Sequence, residues 1–516
     1  NHQVSVAGGA DKSNYNLSFG YLSQDGIVTT NNYQRYTARL QQEFQVISPL
    51  RIGYTLTGAY SKSNDIDGGI FRQLYTAYPV LPVYYADGAY GDPGDFPLGD
   101  GAKYNPQVTI DYFDQSTKQY RLTGNIFGEL KFAKHFTFRS SVGGERSDYE
   151  TRRYQPIYNL GPSLKNDKSV LTLTENNIRN WIVENTLTYE NKFLTDHSVK
   201  VLVGQGAQSN RGRTRRGSAE NIDRGSSFEY LTLGSNLLYR DVADGFPYYN
   251  TSASYFSRLN YAYQNRYMLT ASIRADGSSK FADPNKWGYF PSFGLGWVIS
   301  NEKFMESQKI FDALKLRGSW GKVGNSTVPA NVSVTSVAQN AGLIAIFGGQ
   351  TTQGATINTI PPPTTYWERS VGTDIGLEAA FLKNRLNVEA GYYKRKTEKA
   401  IFAIDILGSL GTANNSLTGN QATYENKGFE FQVSWTDKAT KDISYSINAN
   451  LGINDNKVLS TVTGSNPIYG GGNGLANGSL ATRTVLGEPI GHFYGYQVVG
   501  IFQTDADAAP WGAKAG

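Results

Sequence analysis

The chain offers few residues at the spacings that covalent chemistry needs. Its four histidines, His2, His135, His197 and His492, are scattered and form no HExxH pair that would hold zinc. No GxSxG elbow raises a nucleophilic serine. With no cysteine there is no thiol nucleophile, no Cys-ligated zinc and no disulfide framework. Carboxylates for glycoside hydrolysis abound, but the separation that sets that mechanism is not written in a sequence. NDIDGG at 64–69 alternates oxygen ligands like the opening of a calcium loop, yet lacks the bidentate glutamate such a loop needs near its end. No cofactor is therefore expected, with calcium left open. RGRTRR at 211–216 reads as a solvated stretch of a long loop, without the interleaved aromatics of a nucleic-acid site. The glycine-rich YGGGNGLANGS at 469–479 lacks phosphate-loop spacing. A net charge of +5 over 516 residues implies no nucleic-acid partner.

Two groups of residues are suited to recognition rather than reaction. Charged side chains recur on one parity of alternating segments: Arg39, Glu43, Arg51, Arg121, Glu129, Arg139, Glu145, Arg258, Arg274, Arg317 and Glu389. Together they describe a polar interior, lumen-facing, in which ion pairs across neighbouring strands are expected. The second group is aromatic. IFRQLYTAYPVLPVYYADGAYGD holds Tyr75, Tyr78, Tyr84, Tyr85 and Tyr90, and KWGYFPSF holds Trp287, Tyr289 and Phe290. Ring faces stack on sugars or on peptide side chains, and they also glue long loops together. These eight are the candidate ligand contacts.

What must position them is a set of strands. In ASYFSRLNYAYQNRYMLTASIRAD at 253–276, Tyr255, Leu259, Tyr261, Tyr263, Tyr267, Leu269 and Ile273 keep one parity on either side of a tight polar break. Arg258, Asn260, Arg274 and Asp276 keep the other. A period of two is a strand signal, and the pair reads as a hairpin. YNLSFGYL, LRIGYTLTGAYS, YRLTGNIFGELKF, GFEFQVSW and ISYSINANLG repeat the pattern. The chain predicts about 16 strands, many of about 9 to 13 residues, the span of a tilted membrane strand. Short connections (46–49, 133–135, 191–196, 264–266, 383–385, 437–442) alternate with long ones (62–116, 147–177, 210–252, 324–370, 397–423), as tight periplasmic turns alternate with large outer loops in a membrane barrel. Residues 302–313 interrupt the short side with an expected brief amphipathic helix. Tyr263 and Tyr267 beside the 264–266 turn fit an aromatic girdle. The mean hydropathy of −0.43 rules out a helical membrane protein but not a barrel, where only alternate residues meet lipid. The start, NHQVSVAGG, carries no basic or apolar leader. A soluble all-β glycan-degrading enzyme and a surface adhesin are the rival readings.

NHQVSVAGGADKSNYNLSFGYLSQDGIV, RADGSSKFADPNKWGYFPSFGLGWVISNEKFM, LKLRGSWGKVGN, YWERSVGTDIGLEAAFLKNRLNVEAGYYKRKT, YENKGFEFQVSW and GHFYGYQVVGIFQTD, in that order from end to end, resemble the barrel of the SusC/RagA family of TonB-dependent outer-membrane transporters. The resemblance implies an all-β transmembrane antiparallel β-barrel, multi-pass in the bacterial outer membrane, with about 22 strands when complete and a plugged lumen. It implies that residues 1–516 are a partial barrel domain, with signal peptide, plug and closing strands outside them. It implies further a SusD-like lipoprotein lid, energy from TonB, ExbB and ExbD, import of oligosaccharides or peptides rather than catalysis, and a dimer of transporter–lipoprotein pairs.

Overall fold

The alternation resolves into one antiparallel sheet of 16 strands in which every strand pairs with its sequence neighbours. The computed structural model describes residues 1–96, 104–194, 196–222, 230–234, 241–330, 332, 335–338, 344–362, 364–406, 409, 416–470, 481–495 and 497–512. In chain order the strands are β1 (His2–Ala10), β2 (Ser13–Asp25), β3 (Asn32–Ile47), β4 (Leu50–Asn64), β5 (Asp114–Phe132) and β6 (Phe136–Gln155). Then come β7 (Val170–Phe193), β8 (His197–Glu220), β9 (Asp241–Tyr263), β10 (Tyr267–Ser278) and β11 (Trp287–Val298). The last are β12 (Phe311–Asn325), β13 (Glu368–Phe381), β14 (Leu386–Asp405), β15 (Ser416–Lys438) and β16 (Ser444–Thr461). No described helix is long and apolar enough to cross a membrane.

Cross-strand register sorts the two faces. Leu269 of β10 stands opposite Tyr261 of β9 and Leu295 of β11, while Thr270 stands opposite Asn260 and Gly294. Ile273 and Leu295 are 52% and 57% exposed, with no second layer of described residues over them. The described hydrophobic clusters are small and sit at the long-loop end: one gathers Phe281, Phe290, Val328, Val332 and Trp367, the other Tyr154, Leu171, Ala219 and Ile222. A soluble sandwich would bury the face that carries Leu269; here that face is left for lipid.

Aromatic rings mark both borders of that face. Near the short turns, ring centroids lie 5.6 Å apart for Phe132–Phe136, 5.0 Å for Phe136–Tyr189 and 4.7 Å for His197–Tyr263, and Tyr263 stacks on Tyr267 at 6.3 Å. At the other border a ladder runs Tyr21–Tyr36–Tyr60–Tyr120 over four strands, with spacings of 5.0, 6.4 and 4.9 Å. Tyr60 lies ten residues along β4 from Leu50. At about 3.3 Å per residue and a tilt of about 40°, that is roughly 25 Å of height, the thickness of a barrel's apolar band. The tight turns, three residues each between paired strand ends, open on two successive left-handed residues: Ala133 and Lys134 (φ 46° and 62°), and Gln264 and Asn265 (φ 52° and 51°).

Three expectations need correction. β1, β2, β10 and β11 have 9 to 13 residues, but the other strands are longer, and β7 and β8 have 24 each. The long connections shrink accordingly, to 65–113, 156–169 and 221–240, and RGRTRR at 211–216 lies on β8 rather than in a loop. Above the upper ring both faces of a strand meet polar surroundings, so the ladder continues where the apolar alternation stops. Residues 302–313 form no α-helix. Two 3-10 turns, Ile299–Asn301 and Lys303–Met305, precede β12. Glu302, 9% exposed, ties the segment down: its carboxylate accepts from Tyr267 Oη at 2.5 Å, Trp297 Nε1 at 2.9 Å and Arg266 Nη1 at 3.0 Å. Gln308 then accepts from the backbone N–H groups of Ile310 and Phe311, both at 2.8 Å, and starts the strand.

Ile273→Arg, about midway between the two aromatic borders on the outward face of β10, is expected to cost roughly 2–4 kcal/mol of folding stability, whereas Thr270→Arg, facing Gly294, is tolerated; denaturant titration after refolding into lipid measures both. A pH signature belongs to Glu302. Hydrogen bonds from Tyr267 and Trp297, then Arg266, hold its carboxyl below the ordinary value of 4.5. A folded pKa below the unfolded one gives stability that is present above about pH 4.5 and lost as pH falls through the lowered value. The gap in thermal midpoint between wild type and Glu302→Gln is therefore wide at pH 7 and narrows as the pH falls below about 4.5.

Candidate functional site: a polar inner face and its loop rim

The face opposite Leu269 carries charge in clusters that span strands. Glu129 on β5 is the centre of the largest, its side chain 14% exposed. Arg51 Nη2 on β4 donates to both its oxygens at 3.2 Å, and Arg139 Nη1 on β6 donates at 3.4 Å. Arg51 also reaches Glu43 on β3 at 3.4 Å, so four adjacent strands are linked by one chain of ion pairs. Phe127 lies beneath, with the Arg139 guanidinium 3.7 Å from its ring centroid. Gly53 makes that possible, since a Cβ there would fall 2.5 Å from the Phe127 ring. The glycine lets an aromatic ring lie across the strand and hold the arginines flat.

Smaller clusters continue around the sheet. Arg121 pairs with Glu145 at 2.9 Å. Arg274 Nε donates to Asp276 at 2.7 Å and its Nη2 to Ser254 at 2.8 Å, and the guanidinium sits 5.4 Å from the Phe256 ring. Glu378 receives Arg317 at 2.9 Å and Lys315 at 3.0 Å. Arg39 donates to Gln41 at 3.4 Å. Arg258 is exposed, opposite Leu202 and Ser272, and Glu389 stands opposite Glu378 and Gln432. The register therefore puts every charged candidate on one face. Sequence reasoning missed Glu378 and Phe127. The parity of Ile375 and Leu377 marks Glu378; nothing in the alternation marks an aromatic on the polar side.

Over the rim, the described residues of the 65–113 connection form a folded unit. It holds two short helices, α1 (Ile70–Thr76) and α2 (Pro106–Tyr112), with Ile70 and Val108 buried between them and the loop. Asn105, 2% exposed, donates to the carbonyls of Val83 and Gly91 at 3.0 Å each and accepts from Gln107 N to cap α2. Asp92, 3% exposed, accepts from Gly94 N at 2.8 Å and from Ser163 N at 3.0 Å, tying this loop to the 156–169 loop. Rings reinforce the tie: Tyr84–Tyr90, Tyr90–Tyr112 and Tyr112–Tyr158 lie 5.1, 6.3 and 4.7 Å apart. Tyr85 Oη donates to Asp95 at 2.6 Å and Tyr90 Oη to Asp111 at 2.8 Å. The Asp95 bond raises the Tyr85 pKa; burial, then Asp111, raises that of Tyr90. Tyr75 on α1 and Tyr84 keep 70% and 47% of their surface exposed, and Tyr78 belongs to the same loop.

The second aromatic segment divides differently from expectation. Trp287 and Tyr289 stand opposite Gly277 and Ala275, on the outward face with Leu295, and Trp287 stacks on Tyr255 at 6.0 Å. They belong to the upper ring. Phe290 points the other way and is 7% exposed, edge-on to Trp367 at 5.5 Å. The period of two that put three aromatics in one short string also splits them between faces. In NDIDGG, Asp65 accepts from Ser63, Gln115 and Thr117, and Asp67 from Gly69 N, so these oxygens fasten the loop base. Residues 471–479 of the glycine-rich stretch lie outside the described residues.

With this geometry, comparison with known proteins is consistent in one direction. Residues 59–483 match the family model described as TonB dependent receptor-like, beta-barrel. The chain is 27% identical over 521 residues to TonB-dependent receptor P26 of Formosa agariphila, covering 98% of this chain and 50% of that protein. It is 25% identical over 532 residues to TonB-dependent receptor SusC of Bacteroides thetaiotaomicron, covering 96% and 51%. Among solved structures, that of the RagAB peptide transporter superposes with a TM-score of 0.81 at 21% identity, over 98% of this chain and 55% of that one. The chain belongs to the TonB-dependent receptor β-barrel family, of SusC/RagA type, and its place is the bacterial outer membrane. It spans about half the length of the curated relatives it matches.

Removing the central carboxylate of the largest cluster leaves Arg51 and Arg139 facing each other. Glu129→Gln is expected to lower stability by roughly 1–3 kcal/mol, and Arg258→Gln to change it by less than about 0.5 kcal/mol, in urea titrations of the reconstituted full-length protein.

Proposed function

We propose that the protein carrying this barrel is an active importer of peptides or oligosaccharides across the outer membrane. The observation that carries the reading is the inner face: polar and charged along the whole sheet, with tight turns at one rim and built loops at the other. A packed core would not hold such a face, and a water-filled barrel of this width needs a plug to keep the membrane tight. In this reading Arg39, Glu43, Arg51, Arg121, Glu129, Arg139, Arg258, Arg274 and Arg317 line the route or hold the plug. A SusD-like lipoprotein closes over the loop rim, TonB with ExbB and ExbD supplies the force, and two transporter–lipoprotein pairs associate. No residue performs covalent chemistry. The likeness to the RagAB peptide transporter supports a peptide cargo. Tyr75, Tyr78 and Tyr84 are the ligand-facing aromatics, on a loop that Tyr85 and Tyr90 brace, and rings of this kind stack on sugars equally well.

Uptake of labelled oligopeptides and oligosaccharides by cells expressing the full-length protein tests this. Import is expected to stop when TonB is deleted, while surface binding persists. Uptake that continues without TonB would instead mark a passive pore, and binding with no uptake in energised cells a barrel that serves only as a surface anchor. Tyr75→Ala and Tyr84→Ala are each expected to weaken cargo binding about 2- to 10-fold, the worth of one aromatic stack.

A further inference from the structure

The outward face carries one feature that import does not use. Arg146 on β6, Arg179 on β7 and Arg211 on β8 stand side by side in register, flanked by Leu122 of β5 and Tyr249 of β9. All three are exposed and share the face of Val142 and Trp181, themselves 47% and 48% exposed. Arg179 lies two residues beyond Trp181 on β7. Arg146 lies ten residues up β6 from Phe136, the same climb that separates Tyr60 from Leu50 on β4. The row therefore sits at the outer edge of the apolar band, at headgroup height. Asp148 holds Arg146 Nε at 2.8 Å from above, on the side away from the band.

Immediately below the row is a hollow of about 440 Å³ walled by Leu56 and Leu122 and bordered above by Arg146 and Arg179. Its floor is the cross-strand pair Gly124–Gly144, where two adjacent strands carry no side chain on the lipid side. We propose that this hollow and the arginine row together bind a phosphorylated glycolipid of the outer leaflet, an acyl chain lying over the glycines and a phosphate held by the guanidinium groups. Guanidinium is matched to phosphate by its planar, bidentate donor geometry. A free phosphate would have no use for an apolar trough, and a soluble protein would have no hydrocarbon to lay in it.

The test uses the purified full-length protein in detergent, with bisphosphorylated lipid A and its dephosphorylated form as probes and native mass spectrometry as the readout. Wild type is expected to retain the bisphosphorylated form at least tenfold better than the dephosphorylated one. The R146Q/R179Q/R211Q variant loses that preference, and Gly144→Leu, which fills the trough, weakens retention of both forms. Arg35→Gln, on the inner face of β3 and three strands from the row's near edge, leaves retention unchanged. Heat-modifiable migration confirms that each variant is folded; if the triple variant is not, Arg179→Gln alone is expected to weaken retention about threefold. Equal retention by wild type and the arginine variants overturns the proposal, as does equal retention of the two lipids or a comparable loss in Arg35→Gln. Displacement by millimolar inorganic phosphate would reduce the site to a bare anion site and overturn the lipid assignment.

Discussion

A peptide group in hydrocarbon has no water to bond, so each N–H and C=O must be satisfied by a neighbouring strand. That constraint organises the rest of this molecule. It requires antiparallel strands joined in sequence order, and the strands between the two edges, β2 to β15, obey it without a crossover. Because side chains alternate along each strand, the same ladder turns one face to lipid and the other away from it. The apolar residues of β10 and β11 then need no covering layer, while the charges on the other face find partners on adjacent strands. Glycine acquires a purpose in this setting. At Gly53 the missing side chain admits Phe127 beneath two arginines, and at Gly124 and Gly144 it leaves a trough in the lipid-facing surface.

The parts of the fold that were legible in the sequence are those where the two faces meet different media. Tyr255 to Ala275 alternates because one side is greasy and the other is not, and the number of strands, the tight turns and the lower aromatic ring followed from that contrast. Beyond the upper ring the contrast vanishes. β7 and β8 run on as paired strands through residues that look like loop, because pairing persists where both faces are polar. RGRTRR was hidden for this reason. The 302–313 segment misled in another way: its spacing of apolar residues suits a helix, but Glu302 satisfies three tertiary donors and fixes it as turns.

At the candidate site the charged residues were legible as a group and the aromatics only in part. Parity alone assigns Arg51, Glu129 and Arg139 to one face; their convergence on a single carboxylate depends on register, which no single strand encodes. Trp287, Tyr289 and Phe290 show the cost of treating neighbours as a cluster, since adjacent positions on a strand point to opposite faces. The loop tyrosines serve two purposes at once. Tyr85 and Tyr90 brace the loop through aspartates, and Tyr75 and Tyr84 remain open to a ligand. A braced loop presents its exposed rings in a fixed arrangement, which lowers the entropy lost on binding.

The central claim is that lipid, and no second protein layer, covers the face of Leu269. Spin labels placed singly at successive positions from 268 to 274 in the full-length protein, reconstituted in liposomes, test it most directly. Labels at 269, 271 and 273 are predicted to be relaxed by oxygen dissolved in the bilayer, and those at 268, 270, 272 and 274 by a water-soluble nickel complex or by neither reagent. Oxygen accessibility without a period of two, or its maximum on the even positions, would contradict the account.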